Sequence, residues 1–244
     1  MNSLRYVAKR FAHNDTLKKF IHENSHIAGS TVFQGTLYEY TVMRELQNKL
    51  CMDKLRRSGG SYDHGIDIKA KWPLDRIYSV INDQIGLVKE VPSRVLVNNT
   101  IFKPLKHKLT EGKKFKPLDV LVQCKSFTSS KITGKEIREL MGAFAYNVTS
   151  AKRNHTVIIM SSPNFLTKDG LQMMNSLTIP LVYLRIEALK SHQGWYDLDY
   201  SGRLLNYYEN EYASKLLDDC GVQQWLKLAA YKDRTPDKAL PGAD

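Results

Sequence analysis

The sequence predicts an α/β fold, a mixed central sheet with helices on both faces. Three observations predict it. Residues 118–127, 156–160 and 180–186 are apolar runs of strand length. Residues 135–151 and 166–177, which separate them, repeat apolar side chains at helical spacing. The chain has 244 residues, 42% of them hydrophobic, enough to cover a sheet with helices and bury a core.

The elements follow in order. Residues 1–14 carry Arg5, Lys9 and Arg10, and no acid precedes Asp15. Leu4, Val7 and Phe11 form an amphipathic stripe, so this stretch has the pattern of a mitochondrial presequence. Residues 1–29 are expected to be a targeting segment and linker, with 15–27 a short polar helix. Val42, Met43, Leu46 and Leu50 predict a long helix over 36–55, stopped by Ser58-Gly59-Gly60. Ile66-Asp67-Ile68-Lys69 alternates apolar and charged residues and reads as a strand, bent at Trp72-Pro73.

Residues 73–116 lack a clear period and are expected to be an inserted loop or irregular hairpin. They hold Lys103, Lys106, Lys108, Lys113, Lys114 and Lys116, with Glu111 as the one acid from 103 onward. Placed beside a site, such an insertion is expected to act as a nucleic-acid-contacting arm. The strand 118–127 puts Leu118, Val120, Val122 and Cys124 on one face and Leu121, Gln123 and Lys125 on the other. Beyond 190 the chain is rich in Tyr and Trp, with a helical stretch at 209–220. The expected organisation is a core domain over 30–190, an extension over 191–231 packed on it, and a flexible tail over 232–244.

Charge narrows the function. Thirty-six Lys and Arg against 25 Asp and Glu give +11 and a pI near 9.4, which attracts polyanions. No apolar run approaches the ~20 residues of a bilayer-spanning helix. Cys51, Cys124 and Cys220 are too scattered for a zinc ribbon or a disulfide framework.

Asp67 is flanked by Ile66 and Ile68, and a buried carboxylate needs a partner, either a cation of the protein or a metal. Gln123 and Lys125, two residues apart, share a strand face. If the two strands pair, a carboxylate, an amide oxygen and an ammonium meet on one surface. The bland alternative is an ordinary polar outer face.

These residues resemble a family. Gly60-Ser61-Tyr62-Asp63-His64-Gly65-Ile66-Asp67 followed by Val122-Gln123-Cys124-Lys125 looks like the Mrr-type branch of the PD-(D/E)xK restriction-endonuclease superfamily. Gly35-Thr36-Leu37-Tyr38-Glu39 resembles its helix signature. Residues 137–143 and 161–167 resemble the helix after the lysine and the next strand–turn–helix. Five motifs in one order are more specific than any alone. The chain also resembles, over nearly its whole length, the seventh of the fungal mitochondrial "required for respiratory growth" families, notably at residues 30–35, 38–46 and 206–210. That likeness implies residence in the mitochondrion, in its matrix.

The superfamily resemblance implies a restriction-endonuclease-like fold and an endonuclease that hydrolyses DNA in support of mitochondrial genome maintenance. It implies Mg²⁺ or Mn²⁺ held by Asp67, Gln123 and the backbone carbonyl of Cys124. Glu39 would join through water or a second metal, and Lys125 would position the attacking water and stabilise the phosphate. Asp63, His64 and Glu139 are expected in support. DNA is the expected partner, RNA the second candidate, and a homodimer is in keeping with the superfamily. Gln123, neutral where relatives carry Glu, keeps open a nucleic-acid-binding protein without catalysis, and a protein-binding assembly factor stands as a third reading.

Overall fold

The computed structural model describes residues 14–58, 64–87, 90–111, 114–127, 129–192 and 194–234, with the backbone alone at 232–234. The presequence-like stripe, most of the tail, Asp63 and Lys113 lie outside the described residues. The architecture is a six-stranded mixed sheet between two helical layers.

Residues 14–23 are helical, and Leu17 is buried against Phe33 and Leu37. Helix α1 spans Thr31–Leu50, five residues earlier than expected at both ends. The Ser30 hydroxyl accepts from the Phe33 amide and starts it. Cys51, in the left-handed conformation at φ 55°, stops it well before the glycines. The strand β1, Asp53–Arg57, follows. Its DKLRR sequence has no apolar alternation, which is why no strand was expected there.

Strand β2 is Ile68–Trp72, so Asp67 sits just before the strand and not in its middle. The stretch after Pro73 is more ordered than expected. Helix α2, Leu74–Ile85, buries Leu74, Ile77 and Ile81 on one face. Strands β3, Val95–Val97, and β4, Thr100–Phe102, form a hairpin turned by Asn98 and Asn99, both at positive φ. The short helix α3, Lys106–Thr110, leads back to the sheet.

The centre matches the expected pattern. Strand β5, Leu118–Cys124, passes through helix α4, Gly134–Asn147, to strand β6, Thr156–Ser162, and through helix α5, Lys168–Ser176, to strand β7, Leu181–Ile186. Strands β5, β6 and β7 are parallel neighbours. A complete capping box at Thr133 and Glu136 starts α4.

After the small ribbon of β8, Ser191–His192, and β9, Trp195–Tyr196, strand β10, Leu204–Glu209, adds antiparallel to β7. The sheet order is β1-β2-β5-β6-β7-β10. Helices α6, Glu211–Leu216, and α7, Val222–Arg234, are the last of the described elements.

The core has two main parts. Residues of α1, α2 and α6 meet the β2, β5, β6 and β7 side chains of one face. Residues of α4 and α5 meet Leu121, Ile158, Met160, Leu181 and Tyr183 on the other. A buried Arg44–Glu45 pair ties the 198–204 segment to α1. Arg44 donates to the carbonyls of Leu198, Ser201 and Gly202 at 2.7–2.9 Å, and Glu45 accepts from the Leu204 amide at 3.0 Å.

Candidate functional site

Strands β2 and β5 are antiparallel, with Ile68 opposite Val122 and Lys69 opposite Leu121. The ladder ends at Ile68, and Asp67, the residue before it, stays beside the 122–124 segment through its own hydrogen bonds. The Asp67 amide donates to the Val122 carbonyl at 2.9 Å, and its own carbonyl accepts from Ser58 at 2.7 Å. Its carboxylate accepts from the Cys124 amide at 2.6 Å. The side chain thus serves as the ladder's last acceptor where β2 leaves β5.

Gln123 is 8% exposed, and its Oε1 is buried without a hydrogen-bond partner among the described residues. Gly65 makes room above it: at φ 76°, a Cβ there would lie 3.2 Å from Ala143 Cβ and 3.4 Å from Gln123 Nε2. His64, at φ 52°, packs against Tyr146 with ring centroids 4.3 Å apart and the rings tilted by 31°.

The other expected groups are close but committed. Glu39 pairs with Arg57 of β1 at 2.6 Å. Tyr38, beside it, fixes α1 to the sheet by hydrogen bonds to Ser161 Oγ and the Ile186 carbonyl, both at 3.0 Å. Burial pushes the Cys124 thiol well up, and the charges of Asp67 and Glu39 push it further. The two carboxylates therefore flank this thiol, which stays protonated. Lys125 pairs with Glu139 of α4 at 3.2 Å. Burial raises the Glu136 carboxyl, but hydrogen bonds with Thr133 and its own amide, with the charge of Lys125, leave it below the ordinary range.

A hard divalent cation takes oxygen ligands, commonly from one or two carboxylates. The orphaned Gln123 oxygen and Asp67 are of the right kind. The rest of the donor set fits poorly. Glu39 is neutralised by Arg57, position 123 is an uncharged amide, and no group of three His, Cys, Asp or Glu comes together among the described residues.

The lysine-rich insertion is not where it was expected. It joins the end of β2 to the start of β5, while Asp67 and Gln123 stand at the opposite end of that strand pair. Seven steps of about 3.3 Å put Lys125 roughly 23 Å from Leu118. Both ends of the arm are therefore rooted away from the centre. Lys106 is also corrected as a nucleic-acid contact. It is 8% exposed, pairs with Asp219 and donates to the Leu87 carbonyl at 3.1 Å. Lys103, Lys108, Lys114 and Lys116 are exposed. Burial pushes the His155 imidazole below its ordinary value, and the charges of Lys108 and Lys116 add to this, which places those two near the start of β6.

A second basic surface adjoins the centre, and residue-by-residue reading missed it. A groove of about 470 Å³ runs over the β1-β2-β5 face on the α4 side. Lys54, Arg56, Arg57, Lys69, Lys71 and Lys152 line it. Asp119, its one carboxylate among the lining residues, pairs with Lys71. Arg56, Lys69 and Leu121 follow one another across the strands, and Asp67 and Gln123 continue that face at the near end. The signal was present in β2, where Lys69 and Lys71 alternate with buried Ile68, Ala70 and Trp72.

Comparison with known proteins places the chain. A family model described as "Required for respiratory growth protein 7" matches residues 30–217. "Required for respiratory growth protein 7, mitochondrial" of Lachancea thermotolerans is 57% identical over 224 residues, 92% of this chain and 88% of the relative. The protein of that name in Zygosaccharomyces rouxii is 50% identical over 227 residues, 93% of each chain. Its namesake in Saccharomyces cerevisiae is 48% identical over 232 residues, 93% and 96%. No solved structure matches.

Proposed function

We propose that this chain, which belongs to the Required for respiratory growth protein 7 family, is a nucleic-acid-binding protein that serves respiratory growth without depending on hydrolysis. The family is mitochondrial, and so is this protein. We place it in the matrix, where mitochondrial nucleic acid resides.

One observation carries the reading. A basic groove leads to a centre whose charged groups are already satisfied within the protein. Asp67 holds the Cys124 amide, Glu39 holds Arg57, and Lys125 holds Glu139. In the groove, Lys54, Arg56, Lys69 and Lys152 have no carboxylate partner among the described residues. Unpaired cations in a concave surface attract a phosphate backbone by releasing its counterions. Lys108 and Lys116, near His155, extend the positive field at the far end.

The resemblance to PD-(D/E)xK nucleases enters this reading as ancestry. A carboxylate held by the Cys124 amide, between Gln123 and Lys125, is the disposition such a site would leave after losing its second acid. None of the described helices is long and apolar enough to cross a membrane.

Metal-dependent hydrolysis is the second reading, favoured by the orphaned Gln123 oxygen beside Asp67. There Asp67, Gln123 and the Cys124 carbonyl would hold Mg²⁺ or Mn²⁺. Incubating the full chain with end-labelled DNA and RNA in either metal separates the two. The proposal expects retarded bands and intact strands. Cleavage that Asp67→Ala abolishes would establish the second reading instead.

A further inference from the structure

We propose that the groove takes single-stranded nucleic acid and that the Tyr146–His64 pair at its near end stacks on an unpaired base. This rests on the nucleic-acid reading above and names its substrate class.

The cations stand on the floor of the groove. Arg56 and Lys69 lie directly across from each other on β1 and β2, and Lys71 follows Lys69 by two residues. Alternate residues of a strand are about 6.7 Å apart on one face. The wall is made by Asn147 and Val148 at the end of α4 and by Lys152 in the turn that follows. A backbone lying along β2 therefore has positive charge beneath it and at one side.

The aromatic pair supplies the second half of the argument. Tyr146 immediately precedes the groove-lining Asn147 and is 70% exposed, with the His64 ring packed against it at a 31° tilt. His64 is held in the left-handed conformation beside Gly65, which packs over Gln123 and Ala143. A large exposed ring with a second ring against it offers a stacking surface beside the groove, near the centre. Bases inside a duplex are stacked on one another and offer it no free face; unpaired bases do. A cationic track with an aromatic platform at its end is the arrangement that holds single strands with little regard to sequence.

The test is fluorescence anisotropy of the full chain with labelled single-stranded DNA, single-stranded RNA and the matching DNA duplex, at one moderate salt concentration. The single strands are expected to bind at least about tenfold more tightly than the duplex, and the better of the two identifies the natural source. Tyr146→Ala is expected to weaken single-strand binding about 5- to 100-fold, leaving the duplex affinity unchanged, while Tyr146→Phe restores it. Equal affinity for duplex and single strands, with Tyr146→Ala neutral, overturns this inference and leaves the nucleic-acid reading standing. Absence of binding to all three probes, in a protein with a normal melting transition, overturns both.

Discussion

Replacing Asp67 by Ala is expected to destabilise the protein, and the sign of that effect separates a structural carboxylate from one held in reserve for chemistry. The side chain accepts from the Cys124 amide at 2.6 Å, where β2 peels away and no backbone carbonyl replaces it. Such a charge-assisted bond contributes about 1.5–3 kcal/mol, and its loss strands a partly buried N–H. A cost of about 2 kcal/mol in a chain of this size lowers the melting temperature by roughly 4–8 °C. Asp67→Asn keeps an acceptor and loses the charge, so about half that loss is expected. Thermal and urea unfolding of the three proteins, followed by circular dichroism, reads both values. A melting temperature that rises in Asp67→Ala refutes the reasoning, since relief of a strained functional carboxylate stabilises a fold at the expense of function.

Further outcomes follow from the same contacts. Arg44→Ala leaves Glu45 as an uncompensated buried charge and frees three carbonyls, so urea unfolding is expected to show a loss of about 3–5 kcal/mol. Lys106→Ala does the same to Asp219, and its loss of stability is expected to come with unchanged nucleic-acid affinity after correction for the folded fraction. Burial raises the Glu209 carboxyl above its ordinary range, against the hydrogen bonds from Tyr207 and Gln223. Its stabilising effect is therefore full below the unfolded value and lost as pH rises through the folded one. Glu209→Gln has no such dependence and is expected to gain stability relative to the parent between mildly acidic and neutral pH, as denaturant titrations at several pH values will show. Saturating a metal site to 100 times its Kd would add about 2.7 kcal/mol. The closed pairing of Glu39 and Lys125 predicts no such rise with Mg²⁺ or Mn²⁺ in a thermal-shift titration.

Much of the fold was legible because its centre is built from strongly patterned segments. β5, β6 and β7 are nearly continuous apolar runs because helices cover both faces, and the intervening helices carry clear stripes. The edges were less legible. β1 is polar because it borders solvent and the basic groove, and β10 lies beyond the stretch where the apolar pattern is strong. α2 was overlooked although Leu74, Ile77 and Ile81 have helical spacing, since the stretch as a whole showed no period.

For the site, period-two alternation put Gln123 and Lys125 on one face, and the β2–β5 pairing leaves Asp67 beside the Cys124 amide between them. Alternation could not say which way β2 runs relative to β5. That direction roots the 73–116 insertion at the far end and leaves Arg56 and Lys69 as the cations in the groove that adjoins the centre. Nor could it show that Lys106 finds Asp219, a partner 113 residues away.

The salt dependence of nucleic-acid binding tests the central claim most directly. Each phosphate contact contributes about −0.7 to the slope of log K against log salt for a single strand. A steep negative slope is expected for the parent protein, and one shallower by about 1.4 when Arg56 and Lys69 are both replaced by Ala. An identical slope in the double variant, with the fold intact, would contradict the assignment of the groove as the binding surface.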